Sequence, residues 1–223
     1  MFGPILVGLV EILAQPCCIL CHQPLDPVQS QHEVCSACWS KIGLPSQALQ
    51  GNDPLHWIAA GSYAGRWRSM VLMLRRTRNL AMVRVLSLQL RELLPKDAVL
   101  VPVPSWKQNN RANPLPKLLA IALQRPSMGL LKRTTACFPQ HGLHRQQRWQ
   151  NSQGTMRCSS TAKKTVNWSK HRAWIVDDIL TTGATACAAA EALRNAHVPV
   201  GGAVCLGRTP NRWSQLGSTQ STQ

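Results

Sequence analysis

A twelve-residue run, Trp174-Ile175-Val176-Asp177-Asp178-Ile179-Leu180-Thr181-Thr182-Gly183-Ala184-Thr185, constrains the fold more than any other stretch. The apolar segment from Ala173 to Val176 predicts a buried parallel strand. The following Ala186–Arg194 segment has high helix propensity. Strand, acid pair, small hydroxyl-rich loop and helix in that order describe a βα unit whose loop faces a ligand. Backbone N–H groups from Thr181 to Thr185 stand at the helix start, where unsatisfied donors and the positive dipole end favour a phosphate. Gly183 lets the backbone approach a ligand closely, and the hydroxyls of Thr181, Thr182 and Thr185 add donors. Asp177 and Asp178 repel a phosphate but accept hydrogen bonds from sugar hydroxyls or hold a divalent cation. The combination points to a sugar phosphate. A plain helix cap needs one Thr or Asp, whereas this run holds three Thr and two Asp.

The other specific pattern lies near the amino end. Cys18-Ile19-Leu20-Cys21 and Cys35-Ser36-Ala37-Cys38 are C-x2-C pairs with 13 residues between them. Each turn aims two thiolates at one ion, and two turns complete a closed tetrahedral sulfur shell, the form of a structural zinc site. Cys17, His22 and His32 are alternative ligands. So small a module has little core, so zinc would supply much of its folding free energy. Nine cysteines, five of them in the first 38 residues, fit metal binding in a reducing compartment better than disulfides.

Between these landmarks the pattern alternates. A turn-rich stretch from Pro45 to Asp53 reads as a linker. A strand is expected within His56–Tyr63, and helices about Trp67–Arg75 and Ala81–Leu94. Val99-Leu100-Val101-Pro102-Val103-Pro104 reads as a short buried strand ended by proline. Pro114 or Pro116 opens a helix running to Gln124. Arg133–Trp168 is polar and basic, without a clear period. Val200–Leu206 is a last strand, and the polar tail from Gln215 has a disordered composition. Alternating strands and helices predict an α/β fold with a mostly parallel sheet flanked by helices. The expected organisation is a zinc-ribbon module over 1–45, a linker over 46–56, an α/β domain over 57–212 and a tail over 213–223.

Charge narrows the partners. Formal net charge is +16, and from Ala98 to Val176 there are 13 Lys and Arg residues and no acid. Such a stretch suits a polyanion, nucleic acid first. Met1–Ala14 is apolar, but it lacks a basic leader and Glu11 interrupts it, so no secretory signal is expected. No run approaches the ~20 apolar residues of a spanning helix. The expectation is a cytoplasmic protein, peripheral to the membrane at most.

The run Asp177–Thr185 resembles the 5-phosphoribosyl-1-pyrophosphate (PRPP) motif of type I phosphoribosyltransferases: two acids, two spacers, then Thr-Thr-Gly-Ala-Thr. The resemblance assigns ribose hydroxyls to Asp177 and Asp178. It assigns the 5-phosphate to Thr181, Thr182, Gly183, Ala184 and Thr185. Four features together, the cysteine pairs, Tyr63-Ala64-Gly65 before a helix ending Leu72-Met73-Leu74-Arg75, Val101-Pro102-Val103-Pro104, and Gln140, Leu143, Arg148 and Asn151 ahead of the loop and Leu206-Gly207-Arg208-Thr209, resemble the competence protein F (ComF) family. That likeness spans roughly Ile12–Thr209. It implies a type I phosphoribosyltransferase-like fold with a zinc ribbon, and a role in natural competence, DNA uptake or use of external DNA. It also implies single-stranded DNA and a competence helicase-type protein as partners. Two departures stand out. Asn110-Arg111-Ala112-Asn113-Pro114 replaces the family's Arg-Gly-Phe-Asn-Gln, which weighs against turnover, and Arg75 stands where Lys is common. The alternative is an active phosphoribosyltransferase displacing pyrophosphate from the ribose C1 with a nitrogen nucleophile, with Mg2+ as charge clamp. Ser105 and Lys107 would then lie near the pyrophosphate, with His141 or His144 as base. A third option is a regulator that only senses the ligand.

Overall fold

The computed structural model describes residues 17–18, 20–25, 34–42, 47–105, 112–134, 155–159 and 166–210. The chain divides into two compact units, Met1–Pro45 and Ser46–Gln223. In the first, an antiparallel bridge joins Cys17 and Pro24, and a short helix α1 spans Ser36–Ile42. Cys18, Leu25 and Val34 are its buried side chains among the described residues.

The second unit is an α/β layer structure. Its strands and helices, in chain order, are β1 (Leu49–Gly51), β2 (Trp57–Ser62), α2 (Gly65–Thr77), α3 (Leu80–Leu86), α4 (Leu88–Leu93), β3 (Ala98–Pro102), α5 (Leu115–Ala122), β4 (Leu131–Arg133), β5 (Met156–Cys158), β6 (Arg172–Leu180), α6 (Ala184–Asn195) and β7 (Val200–Arg208). The main sheet has the order β1-β2-β7-β6-β3, parallel except for the antiparallel edge strand β1. Strands β4 and β5 form a separate antiparallel pair. The mostly parallel sheet expected from sequence is present.

Burial on both faces explains why the central strands are apolar. Ile175, Val204, Leu206 and Leu100 are 0 % exposed, and each fully buried side chain of this kind contributes about 1.5–3 kcal/mol. Helix α6 is nearly all alanine on its buried side, Ala186, Ala188, Ala189, Ala190 and Ala192. With no bulk beyond Cβ, it lies close on the sheet beside the β4–β5 pair. Helices α2 to α5 supply the remaining cover, with α2 and α4 packed on β2, and α5 on β3 and β6. The Trp67 indole N–H donates to Leu206 O at 2.8 Å and stitches α2 to β7.

Three expectations change. The stretch 46–56, read as a linker, carries β1 and so belongs to the sheet. The single helix expected over Ala81–Leu94 is two, because the buried Ser87 turns its hydroxyl back onto Arg84 O at 3.1 Å, a local bond that competes with helix continuation. The strand expected to stop at Val176 runs on to Leu180 through both acids, because β7 pairs with it as far as Leu180 and Arg208. Among the described residues no helix is long and apolar enough to cross a membrane.

Candidate functional site

The site grows from the end of β6. Strand β3 accompanies β6 only to the pair Pro102 and Val176, while β7 continues to its end. The last four residues of β6 therefore stand at the carboxyl edge of the parallel strands with one ladder partner. That edge is where open α/β sheets take ligands.

Successive strand residues leave the strand on opposite faces, so the two acids take different partners, although their carboxylates still meet. Asp178 turns toward α2 and α5. Its Oδ2 accepts from Arg75 Nε at 2.5 Å and from Asn113 Nδ2 at 2.7 Å, and the residue is 4 % exposed. Asn113 is itself fixed at both ends. Its N–H donates to Ser105 Oγ at 3.0 Å, and its Oδ1 accepts from Leu115 N at 3.2 Å, at the start of α5. Burial works against the charge on Arg75, but the hydrogen bond and charge of Asp178 outweigh it and raise its pKa.

Asp177 lies on the α6 side, opposite Cys205, and keeps partial solvent contact. Its Oδ1 accepts the Asp178 N–H at 2.9 Å. Loss of hydration pushes its pKa well above the ordinary carboxylate range, and the neighbouring charge of Asp178 adds to the shift, while the Arg133 charge opposes it. Arg133 donates through Nε to Pro104 O at 2.9 Å.

Beyond Leu180 the chain turns into α6. Gly183 makes the turn with φ 81°, a left-handed conformation that costs other residues ~1–2 kcal/mol. A Cβ there would lie 2.4 Å from Pro54 Cγ. The Thr182 hydroxyl accepts the Ala184 N–H at 3.3 Å, and Cys187 N donates to Gly183 O at 2.9 Å as the helix begins. Thr181 is exposed, Thr182 and Thr185 are half-buried, and Gly183 and Ala184 are buried. The loop is a tight turn with Thr181 exposed, at the positive end of a 12-residue helix, an arrangement suited to an anion.

The residues that brace this loop have no role assigned by the sequence, where Arg208 figures only within the Leu206–Thr209 pattern. Arg208, 6 % exposed, donates to Leu180 O at 3.1 Å, to Thr181 O, and to Asp53 O at 3.3 Å. Its guanidinium carbon sits 5.3 Å from the Trp57 ring centroid, and the Trp57 N–H shares Asp53 O at 3.1 Å. These partners lie 28 and 155 positions apart in the chain, so no local pattern reveals them. Asn113 was noted only within a departure from a motif. Ser105, expected near a pyrophosphate, anchors the Asn113 backbone. Lys107, Arg111, Gln140, His141, Leu143, His144, Arg148 and Asn151 lie outside the described residues.

The amino-terminal unit holds the second candidate centre. The Sγ atoms of Cys18, Cys21, Cys35 and Cys38 lie within 4.8 Å of one another, with Cys21 and Cys35 at 3.6 Å. A zinc ion with Zn–S bonds of about 2.3 Å needs sulfur separations of about 3.8 Å, so the set fits one tetrahedral ion. The first turn is closed by His22 N donating to Cys18 O at 2.8 Å. Burial raises the Cys18 thiol, but backbone N–H groups of Cys35, Cys21 and Leu20 outweigh it and pull it down to about 6. Hydrogen bonding with Cys21 pushes Cys38 up to about 12. Cys17 is exposed, and neither it nor His22 joins the cluster. His32 lies outside the described residues.

No protein-family model matches the chain, and no curated protein matches it in sequence.

Proposed function

We propose that the second unit is a type I phosphoribosyltransferase-like domain that binds a 5-phosphoribosyl ligand, PRPP first, within a ComF-like protein that handles single-stranded DNA. One observation carries the pocket. The unpaired side of the β6 end, the two acids and a left-handed Gly183 turn into α6 converge at the carboxyl edge of a parallel sheet. A 5-phosphate sits on the Thr181–Thr185 loop, where backbone donors and the helix dipole favour it. The ribose hydroxyls donate to the carboxylates of Asp177 and Asp178, the latter with its Oδ2 held by Arg75 and Asn113. Mg2+ accompanies the pyrophosphate of the ligand.

Charge supports the nucleic-acid half. Within the acid-free stretch 98–176, Lys117, Lys132, Arg157, Lys170 and Arg172 are exposed. Such a surface binds phosphates with strong salt dependence. In the metal centre, a closed sulfur shell holds structural zinc and leaves no position for catalysis.

Calorimetric titration of the zinc-loaded chain with PRPP and Mg2+ tests the pocket. Saturable binding that Asp177→Asn and Thr182→Val weaken is expected, and absence of binding at millimolar PRPP overturns the reading. Anisotropy titration of labelled single-stranded DNA at rising salt tests the second half, and affinity indifferent to salt removes it. Pyrophosphate release across a panel of amines decides between a binding pocket and an active phosphoribosyltransferase.

A further inference from the structure

We infer that Arg208 is the positioning residue that makes the Thr181–Gly183 loop an anion receptor, acting through backbone carbonyls and not as a ligand itself. The inference rests on reading that loop as phosphate-binding, and it identifies what gives the loop its polarity.

The geometry is specific. Arg208 Nη1 holds the carbonyl oxygens of Leu180 and Thr181 together, and Nη2 reaches back to Asp53 O. Thr209 N adds a second donor to Leu180 O at 3.0 Å. In a trans peptide the C=O and the next residue's N–H point in opposite directions. Drawing the Leu180 and Thr181 carbonyls toward β7 therefore turns the Thr181 and Thr182 N–H groups away from β7. That is the side where β3 has already ended at Pro102, so the ladder does not consume these donors there. The Thr182 hydroxyl takes the Ala184 N–H, which holds the turn closed. Pro54 packs on Gly183 so tightly that a Cβ at that position would lie 2.4 Å from its Cγ. The rear of the loop is thus sealed, and one side stays open.

Arginine suits this place for a physical reason. Its planar fork serves carbonyls in two directions, its weakly hydrated head tolerates 6 % exposure, and its charge lies over the Trp57 ring, 5.3 Å from the centroid. Lysine brings the same charge as a compact point and cannot span Leu180, Thr181 and Asp53 at once.

The test compares the zinc-loaded wild type with Arg208→Lys and Arg208→Gln, using ribose 5-phosphate and inorganic phosphate as probes. Affinity is followed by calorimetry, and the Thr181, Thr182 and Gly183 amides by 15N–1H spectra without ligand. Both variants are expected to lose at least about tenfold in affinity for ribose 5-phosphate, the scale of a charge-assisted hydrogen bond. Their loop amides should move while amides of α5 and β3 stay. Wild-type-like affinity in Arg208→Lys shows that charge alone suffices and overturns the inference, leaving the phosphate-loop reading intact. If the wild type itself binds neither probe, the phosphate-loop reading fails, and unmoved Thr181 and Thr182 amides in Arg208→Lys still overturn the inference separately. Should the Arg208 variants fail to fold, Trp57→Phe keeps a ring under the guanidinium but removes one donor from Asp53 O. A smaller affinity loss with shifted loop amides is expected, and unchanged amides and affinity overturn the inference.

Discussion

Removing the Arg75 head group is expected to destabilise the second unit by about 2 kcal/mol. Arg75→Met keeps much of the apolar stem and deletes the guanidinium that meets Asp178 at 2.5 Å. Truncating one member of a fully buried pair costs about 3–5 kcal/mol, and a single charge-assisted hydrogen bond about 1.5–3 kcal/mol. The Asp178 side chain is 5 % exposed, but Arg75 is 37 % exposed, so solvent screens part of the attraction. Asn113 also continues to serve the same oxygen after the change. The discounted figure, about 2 kcal/mol, lowers Tm by about 4–8 °C for a unit of this size. Urea unfolding of wild type, Arg75→Met, Asp178→Asn and the double variant isolates the pair. A coupling of about 1–2 kcal/mol is expected for groups in direct contact, and it should persist in 0.5 M salt (about 4 Å Debye length) because one partner is buried. A coupling within about 0.3 kcal/mol of zero refutes the reasoning, since the two side chains would then contribute independently.

Chelation of zinc is expected to abolish hydrogen-exchange protection across Cys18–Leu25 and Val34–Ile42 while β6 and β7 keep theirs; equal loss in both units would contradict the division at Pro45 and Ser46. Gly183→Ala should cost about 2 kcal/mol or more, from a left-handed φ of 81° and a Cβ driven into Pro54; an unchanged melting temperature would argue against that contact. Asp177 has a raised pKa, so its contribution favours folding below the ordinary carboxylate value near 4 and is lost as pH rises through its own higher value. Asp177→Asn should therefore be more stable than wild type at pH 7, with the difference shrinking toward pH 4. A difference that grows on acidification reverses the sign and removes the argument.

What was legible in the sequence was local. Two C-x2-C turns declare a tetrahedral site because each turn places its thiolates without help from distant chain, and all four gather as expected. The order of strand, acids, loop and helix is equally local. The length of β6 was not, because Asp177 and Asp178 end the apolar run while β7 supplies the hydrogen bonds that carry the strand onward. Nor was the break at Ser87, whose buried hydroxyl decides it. The partners of Asp178 lie 103 and 65 positions away. Their assembly depends on the crossing of α2 and the start of α5, which no periodicity encodes.

The extension of β6 changes what an acid pair at its end means. In a loop, two adjacent carboxylates can turn to the same ligand. In a strand their Cβ atoms leave on opposite faces, so here the two carboxylates take different partners while staying close enough to interact. Asp178 then ties the helices on one face to the strand, through Arg75 and Asn113. Asp177 keeps partial solvent contact, yet it bears first the loss of hydration and then the charge of its neighbour. That cost is tolerable because the strand end is held by backbone, from β7 through Leu180 and Arg208. A strand end paired on one side must draw its rigidity from the partner that remains. Substitutions in β7 that loosen the register at Gly207 and Arg208 should therefore disturb Asp177 and the Thr181–Gly183 loop more than equal changes in β3. Gly207 is the sharper probe, since a Cβ there meets the Tyr63 ring at 3.1 Å. Gly207→Ala should shift the Asp177 and Thr181 amides in 15N–1H spectra, whereas Val99→Ala, in the paired middle of β3, should leave them in place. The reverse pattern would mean that β3 sets the strand end.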